Sequence, residues 1–371
     1  MDALSGLRVV DMATVVAGPG TGKYFADFGA DVVKVEAPDG DPVRRMGWTA
    51  EGQIDSFFWK ILGRGKRCIT LDLKKSADLD RMKQLIDQAD LLIENMRPGK
   101  LEALNLAPEL LWKSNPKLVV LRVTGFGQNG PYSQKPGFAT IAEAMSGYSD
   151  LTGEPDGAPQ LPPIAVTDEV TALVGAFAAM AAIRHAERTG EGQVVDVNLL
   201  ESVFQLMGPL PAAFAESGYL QPRLGSGIPY SVPRGTYLCS DGVWVAISTS
   251  AETVAARVLG LLGVAEDIRF TTFQDRSNNR TDLEKIMKSW VAARSSAEVF
   301  ARFEEVDAAI APILNMEEIS QDPHYQFRES LIDVDGVRMQ NVVARLSKTP
   351  GRIRFAGRPL GADNDSEIWG L

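Results

Sequence analysis

The sequence predicts an α/β fold: a Rossmann-like large domain with a smaller α+β domain. Three observations carry that prediction. The first half alternates short β-branched runs with helical patterns. Those runs are apolar throughout, as in parallel strands covered on both faces. From about residue 220 the pattern changes to a hairpin followed by helices. A chain of 371 residues that is 45% hydrophobic also exceeds what one core usually organises.

In chain order, a strand is expected over 8–12, a helix over 18–28 ending at Gly29, and a second strand over 31–36. A strand near 68–71, a helix over 76–88 and a strand over 91–94 follow. Helical pieces over 99–104 and 108–113 lead to a strand over 118–123. In the second half, 235–239 and 243–247 form a hairpin around Ser240-Asp241-Gly242, a glycine-containing turn. Helices are expected over 251–262, 281–293 and 297–305, and an irregular strap rich in Gly and Pro over 350–361. The large domain is placed at 1–215, completed by 326–371, and the small one at 225–325.

Composition narrows the function classes. Net charge is −10 with no long Lys or Arg run, so no electrostatic footprint for nucleic acid is expected. Cys68 and Cys239 sit in separate strand-like segments without metal or redox spacing, which points to a reducing cytoplasm. The opening MDALSGLRVVDMATVV lacks the basic character of a targeting peptide. The apolar run 170–183 is shorter than the roughly 18–20 residues of a membrane span and reads as a buried helix.

The segment from Ala17 to Tyr24, AGPGTGKY, lies where a phosphate loop would. Ala17 replaces its first glycine and Tyr24 its Ser or Thr hydroxyl, so a glycine-rich turn starting the helix close to the sheet is the plainer account. His185 and His324 have no partner at zinc-ligand spacing and no Gly-x-Ser-x-Gly elbow accompanies them; no metal is expected. Asp168 and Glu169 open the long apolar run after Pro162-Pro163. On residue chemistry alone, Thr167 or Asp168 caps that helix. The two acids point about 100° apart and do not form a facing pair.

Taken in order, LSGLRVVD at 4–11, Ala17-Gly18-Pro19, DFGADVVKVE at 27–36 and TLDLK at 70–74 resemble the family III coenzyme A transferases. So do ENMRPG at 94–99, TGFGQNGP at 124–131 and RTGEGQ at 188–193, and the likeness reaches RLSKTPG at 345–351. The resemblance implies that Asp168, after its apolar lead-in, is a nucleophile passing through an aspartyl anhydride and an aspartyl-CoA thioester. A helix start would keep it ionised, and a glycine-rich lid is matched by Gly225-Ser226-Gly227, which equally reads as an interdomain turn. For coenzyme A it implies backbone at Val16-Ala17 near the thiol, and Leu71, Lys74, Asn95 and Met96 along the nucleotide and pantetheine, with Lys74 on phosphate.

Where relatives carry Arg, this chain has Ala37 and Ala103; Arg97 and Lys100 either compensate or are solvated. Arg44 and Arg45 either steer an anionic acid or are surface charges. The implied partners are an acyl-CoA and a carboxylic acid, with no permanent cofactor, no membrane, and an interlocked homodimer whose threading would occupy the strap. An α-methylacyl-CoA racemase shares the fold, but Phe138 in Gly137-Phe138-Ala139 stands where its histidine would be and carries no proton. A CoA-binding protein without turnover would keep Lys74 and Asn95 but not need Asp168.

Overall fold

A computed structural model describes residues 2–371, and the chain divides into two compact units. The first comprises residues up to Tyr148, Pro162–Met207 and Pro323–Leu371; the second comprises Ser149–Leu161 and Gly208–Asp322. The second unit therefore takes in a segment before the long helix, and begins ahead of the boundary expected at 215.

The first unit is built on strands β1 (Arg8–Asp11), β2 (Asp31–Glu36), β3 (Arg67–Thr70), β4 (Leu91–Glu94), β5 (Val119–Thr124) and β6 (Val194–Asn198). They form one six-stranded sheet in the order β3-β2-β1-β4-β5-β6, parallel throughout. The order reverses between β1 and β4, and in open parallel sheets the crevice beyond such a reversal is where ligands bind. Between the strands run α1 (Ala17–Asp27), α2 (Phe57–Leu62), α3 (Ser76–Asp87), α4 (Lys100–Ala103), α5 (Pro108–Leu111) and α6 (Ala139–Met145). Next come α7 (Tyr148–Leu151), where the chain enters the second unit, then α8 (Val166–Thr189) and α9 (Leu199–Phe204).

Period-two side-chain alternation sorts the core onto the two faces of the sheet. Val9, Leu91, Ile93, Val119 and Leu121 pack with Phe25 of α1 and Ala179, Ala182 and Ile183 of α8. Val10, Val33, Leu92 and Val120 pack with Met82, Leu85 and Ile86 of α3.

The glycine-rich stretch from Ala17 is not a turn ahead of the helix but the first half of α1 itself. Glycine is a poor helix former, and here close packing outweighs propensity. A Cβ on Gly20 would lie 2.9 Å from the Ala172 Cβ of α8, and one on Gly175 of α8 would lie 2.9 Å from Thr21 Oγ1. At that range the Thr21 hydroxyl donates to the Ala172 carbonyl, 3.1 Å away, in the buried helix interface.

At 24 residues α8 is longer than the apolar run that suggested a sub-membrane length, and by length and composition it could cross a membrane. Its buried residues, Thr167, Thr171, Ala172, Gly175, Ala179, Ala182, Ile183 and Ala186, are small apart from Ile183, and Ala179, Ala182 and Ala186 lie in the sheet core.

The second unit contains α10 (Leu210–Ser217), β7 (Arg234–Leu238), β8 (Trp244–Ser248), α11 (Glu252–Leu261), α12 (Phe273–Asn278), α13 (Arg280–Ala292), α14 (Ser296–Glu305), β9 (Ile310–Pro312) and α15 (Met316–Gln321). The β7–β8 hairpin turns at Asp241-Gly242 as expected, with Gly242 at a φ of 85°. Back in the first unit, α16 (Pro323–Phe327) precedes a hairpin of β10 (Leu331–Val334) and β11 (Val337–Gln340). Its turn is Asp335-Gly336, both at positive φ, a type of signal that the sequence reading passes over. The stretch 350–361 has neither helix nor strand, as expected of a strap.

Gly20→Ala tests the α1–α8 contact. Helix propensity alone would stabilise the variant by about 1 kcal/mol, whereas overpacking costs about 1–3 kcal/mol. Urea denaturation is expected to show net destabilisation.

Candidate active site

The carboxyl ends of β1 to β4 surround a cleft of about 540 Å³. Met12 and Thr14 line it after β1, Ala37 and Asp39 after β2, Leu71, Asp72 and Lys74 after β3, and Met96 after β4. Leu71, Lys74 and Met96, named from the sequence, are thus gathered at one place. Lys74 is exposed, and no acidic partner engages its ammonium among the described residues. Asn95 does not line the cleft but braces it: its Oδ1 accepts from the Thr14 N–H at 2.9 Å and its Nδ2 donates to the Thr14 carbonyl at 2.7 Å.

Met96 is held by a group that sequence reasoning missed. Its N–H donates to Glu94 Oε2 at 2.6 Å, while Glu94 Oε1 accepts from Arg122 Nε at 2.7 Å. Burial pushes the Glu94 carboxyl up, against the pull of Arg122. Arg97 and Lys100 are exposed and line no part of the cleft.

Arg44 is unavailable as a steering charge. It is buried, grips Glu36 with Nε and Nη2 at 2.7 Å each, pairs with Asp55 at 2.8 Å and stacks on Trp59. Arg45 is exposed, its guanidinium donating to the Asp39 carbonyl at 3.2 Å.

Val16 and Ala17 sit at the start of α1, both buried. Val16 belongs to an apolar cluster with Val43, Trp59 and Leu62, against which Ala165 packs. Ala165 is the N-cap residue of α8, and no side chain caps that helix, so neither Thr167 nor Asp168 plays the expected capping role. The buried Thr167 hydroxyl turns instead to Glu143 Oε1 of α6, 2.9 Å away.

Asp168 and Glu169 follow and have opposite surroundings. Glu169 accepts from Lys23 Nζ at 2.9 Å and from the Tyr24 hydroxyl. Burial opposes its ionisation, but Lys23 and the Tyr24 hydrogen bond prevail and hold it below the usual range. Burial and Glu169 in turn push the Tyr24 phenol up. Asp168, half-buried, has no hydrogen bond or ion pair to its carboxylate among the described residues. Burial, then Glu143, then Glu169 push its carboxyl up to about 6. This reverses the expectation that the helix start would favour ionisation; desolvation and two like charges outweigh the dipole.

Gly225-Ser226-Gly227 belongs to the second unit, where the Gly225 N–H donates to the Gly153 carbonyl and Ser226 Oγ meets Thr236 Oγ1 at 2.9 Å. Phe138 precedes α6 and is 68% exposed. His185 and His324 are exposed, and no cluster of metal-ligating side chains occurs among the described residues.

Asp168 is not among the residues that line the cleft; as an ionisable carboxylate without a partner among the described residues it has the chemistry for nucleophilic attack on a carbonyl. Residues 4–364 match CoA-transferase family III. The chain is 36% identical to a succinyl-CoA–D-citramalate CoA-transferase of Chloroflexus aurantiacus, over 97% of this chain and 92% of that one. It is 38% identical to the beta subunit of a succinyl-CoA–L-malate CoA-transferase of the same organism, over 99% and 94%. A crystal structure of a CaiB/BaiF family protein from Brucella suis superposes with a TM-score of 0.87 at 30% identity, covering 98% of both chains. The chain is a CoA-transferase and belongs to CoA-transferase family III.

Proposed function

We propose that the protein moves CoA from succinyl-CoA to a free short dicarboxylic acid through covalent intermediates on Asp168. The observation that carries this reading is the contrast within one helical turn: Glu169 is neutralised by Lys23 and Tyr24, and Asp168 is left without a partner. Donor and acceptor class rest on the two Chloroflexus relatives, whose names give succinyl-CoA as donor and citramalate or malate as acceptor.

The steps balance without net proton transfer. A carboxylate oxygen of Asp168 attacks the thioester carbonyl; the C–S bond breaks, leaving a mixed anhydride and the CoA thiolate. The thiolate attacks the aspartyl carbonyl, releasing the donor acid as its carboxylate and leaving an aspartyl-CoA thioester. The acceptor carboxylate attacks that thioester and expels the thiolate. The thiolate then takes the acceptor acyl group and regenerates the Asp168 carboxylate.

Each tetrahedral intermediate is helped by amide donors and by exclusion of water. Lys74, Leu71 and Met96 would hold the CoA, with the Lys74 ammonium on a phosphate. A homodimer is part of the proposal: α8 exposes Leu173, Val174 and Phe177, the last 80% accessible, apolar surface of a kind that marks interfaces. So is a cytoplasmic setting, with both cysteines free and buried.

Asp168→Ala is expected to lower turnover on the order of 10³-fold or more while CoA affinity, by calorimetry, stays within about threefold. Rapid quench of the wild type with succinyl-CoA alone should trap a hydroxylamine-labile adduct on the peptide containing Asp168. An adduct that persists in the variant would refute the assignment.

A second expectation follows from the sign of the Asp168 shift. Its native value, about 6, lies above the unfolded value near 4, so the folded state binds the proton more tightly. That contribution is present at low pH and lost as pH rises through about 6. Asp168→Asn should therefore raise the melting temperature at pH 7.5, with the gain shrinking by pH 4.5.

Lys74→Ala should raise KM for succinyl-CoA about tenfold and leave kcat nearly unchanged, the signature of lost uniform binding.

A further inference from the structure

Six non-glycine residues among those described have positive φ, and Val15, at 70°, is the β-branched one. L residues avoid this region sterically, β-branched ones most strongly. Such a conformation persists only where the surroundings over-determine it, and here they do. The Val15 N–H donates to Asp41 Oδ1 at 3.1 Å, and the same oxygen accepts from the Val43 N–H at 3.0 Å. Asp41 Oδ2 is ion-paired with Lys34 Nζ at 3.1 Å, and Lys34 also donates to the Ala13 carbonyl. Asp41 is 3% exposed, so this anchor is sheltered from water.

What Val15 divides gives the strain a purpose. On one side Thr14 lines the cleft and is clamped by Asn95. On the other, Val15 and Val16 join the apolar cluster containing Val43 and Trp59, with Ala165 packed against it. Ala165 is the N-cap of α8, three residues before Asp168. The left-handed turn at Val15 is therefore the pivot between the cleft wall and the seat of the nucleophile's helix.

We propose that Asp41 is a positioning residue for acyl transfer: by holding Val15 left-handed, it fixes how the cleft wall at Thr14 meets the start of α8. Asp41 acts through the backbone of the β1–α1 loop and contacts no reacting atom. The inference rests on the reading of the cleft as the CoA site and Asp168 as nucleophile.

The test is a rescue measured by steady-state kinetics and rapid-quench acylation with succinyl-CoA. A misplacement of about 1 Å costs on the order of 10²-fold in rate, so Asp41→Ala should lower kcat about 10- to 100-fold with KM within about threefold. Adding Val15→Gly should recover most of the loss, because glycine takes positive φ without penalty. Adding Val15→Ala trims the same side chain without that freedom and should not. The conservative Asp41→Asn keeps the Oδ1 acceptor and should restore acylation relative to Asp41→Ala.

Equal outcomes for glycine and alanine, or a loss confined to KM, would overturn the role of Asp41. Where Asp41→Ala does not accumulate folded, Asp41→Leu, which fills the same space without the acceptor, carries the test: an unchanged kcat, or a loss that Val15→Gly leaves uncorrected, overturns it. The same assay on Asp168→Ala separates the two claims. An adduct persisting there refutes Asp168 as the nucleophile, whereas its absence together with equal glycine and alanine outcomes refutes Asp41 alone.

Discussion

The site depends on how closely α1 approaches α8. Gly20 and Gly175 remove the side chains that would hold the helices apart, and the Thr21 hydroxyl then reaches the Ala172 carbonyl. At that separation Lys23 and Tyr24, the next residues of α1, come within bonding distance of Glu169. One helix contact therefore decides which of two adjacent acids is neutralised. Asp168, one position earlier and about 100° around the helix, is outside their reach and keeps its carboxylate free.

A second constraint lies beneath the cleft, in a chain of charges with almost no access to water. Lys66 Nζ binds Asp11 Oδ2 at 2.8 Å and the Pro19 carbonyl at 2.6 Å; Lys34 links Asp11 and Asp41; Glu36 receives Arg44 and the Asp41 N–H. Burial drives the Lys66 amine down, while for Lys34 the three neighbouring carboxylates overcome burial and hold it up. Such networks are not an economical source of stability, and breaking one member costs about 3–5 kcal/mol because its partner is stranded. Their effect here is geometric. Asp11, Lys34 and Asp41 between them bind backbone groups of Ala13 and Val15, so the loop between β1 and α1 is tied down by side chains rather than by regular structure.

The sequence made the first unit legible because its signals are local. Apolar strands with β-branched residues announced β1 to β5, and the Asp241-Gly242 turn announced β7–β8. The edge strand β6, VVDVN, went unread despite its alternation, as did the Asp335-Gly336 hairpin. The helix expected over 18–28 is present as α1, but the reading of its glycines as a turn ahead of it fails: glycines inside a helix mean close packing only when the partner is known, and Ala172 lies some 150 residues away. The site shows the same divide. Leu71, Lys74 and Met96 could be named because each sits in a short motif at a strand end. Glu143, Lys23 and Tyr24 could not, because Glu143 is brought to the start of α8 by its contact with Thr167, 24 residues on, and Lys23 and Tyr24 meet Glu169 across 145–146 residues. Arg44, promising as a free cation, proved committed to Glu36 and Asp55, a commitment no spacing rule reveals.

The surroundings of Asp168 also bear on the role of nucleophile proposed for it at neutral pH. A carboxylate stabilised by a helix cap or a cation would be ionised but weakly basic, and so a weaker nucleophile. Burial and the nearby Glu143 and Glu169 instead raise proton affinity, and affinity for an acyl carbon rises with it. With a value of about 6, Asp168 is still mostly ionised at pH 7. The position is therefore set by two opposing requirements: enough ionisation to attack, and enough desolvation to make attack worthwhile. Pairing Glu169 with Lys23 and with the Tyr24 hydroxyl offsets part of the repulsion that its charge exerts on Asp168.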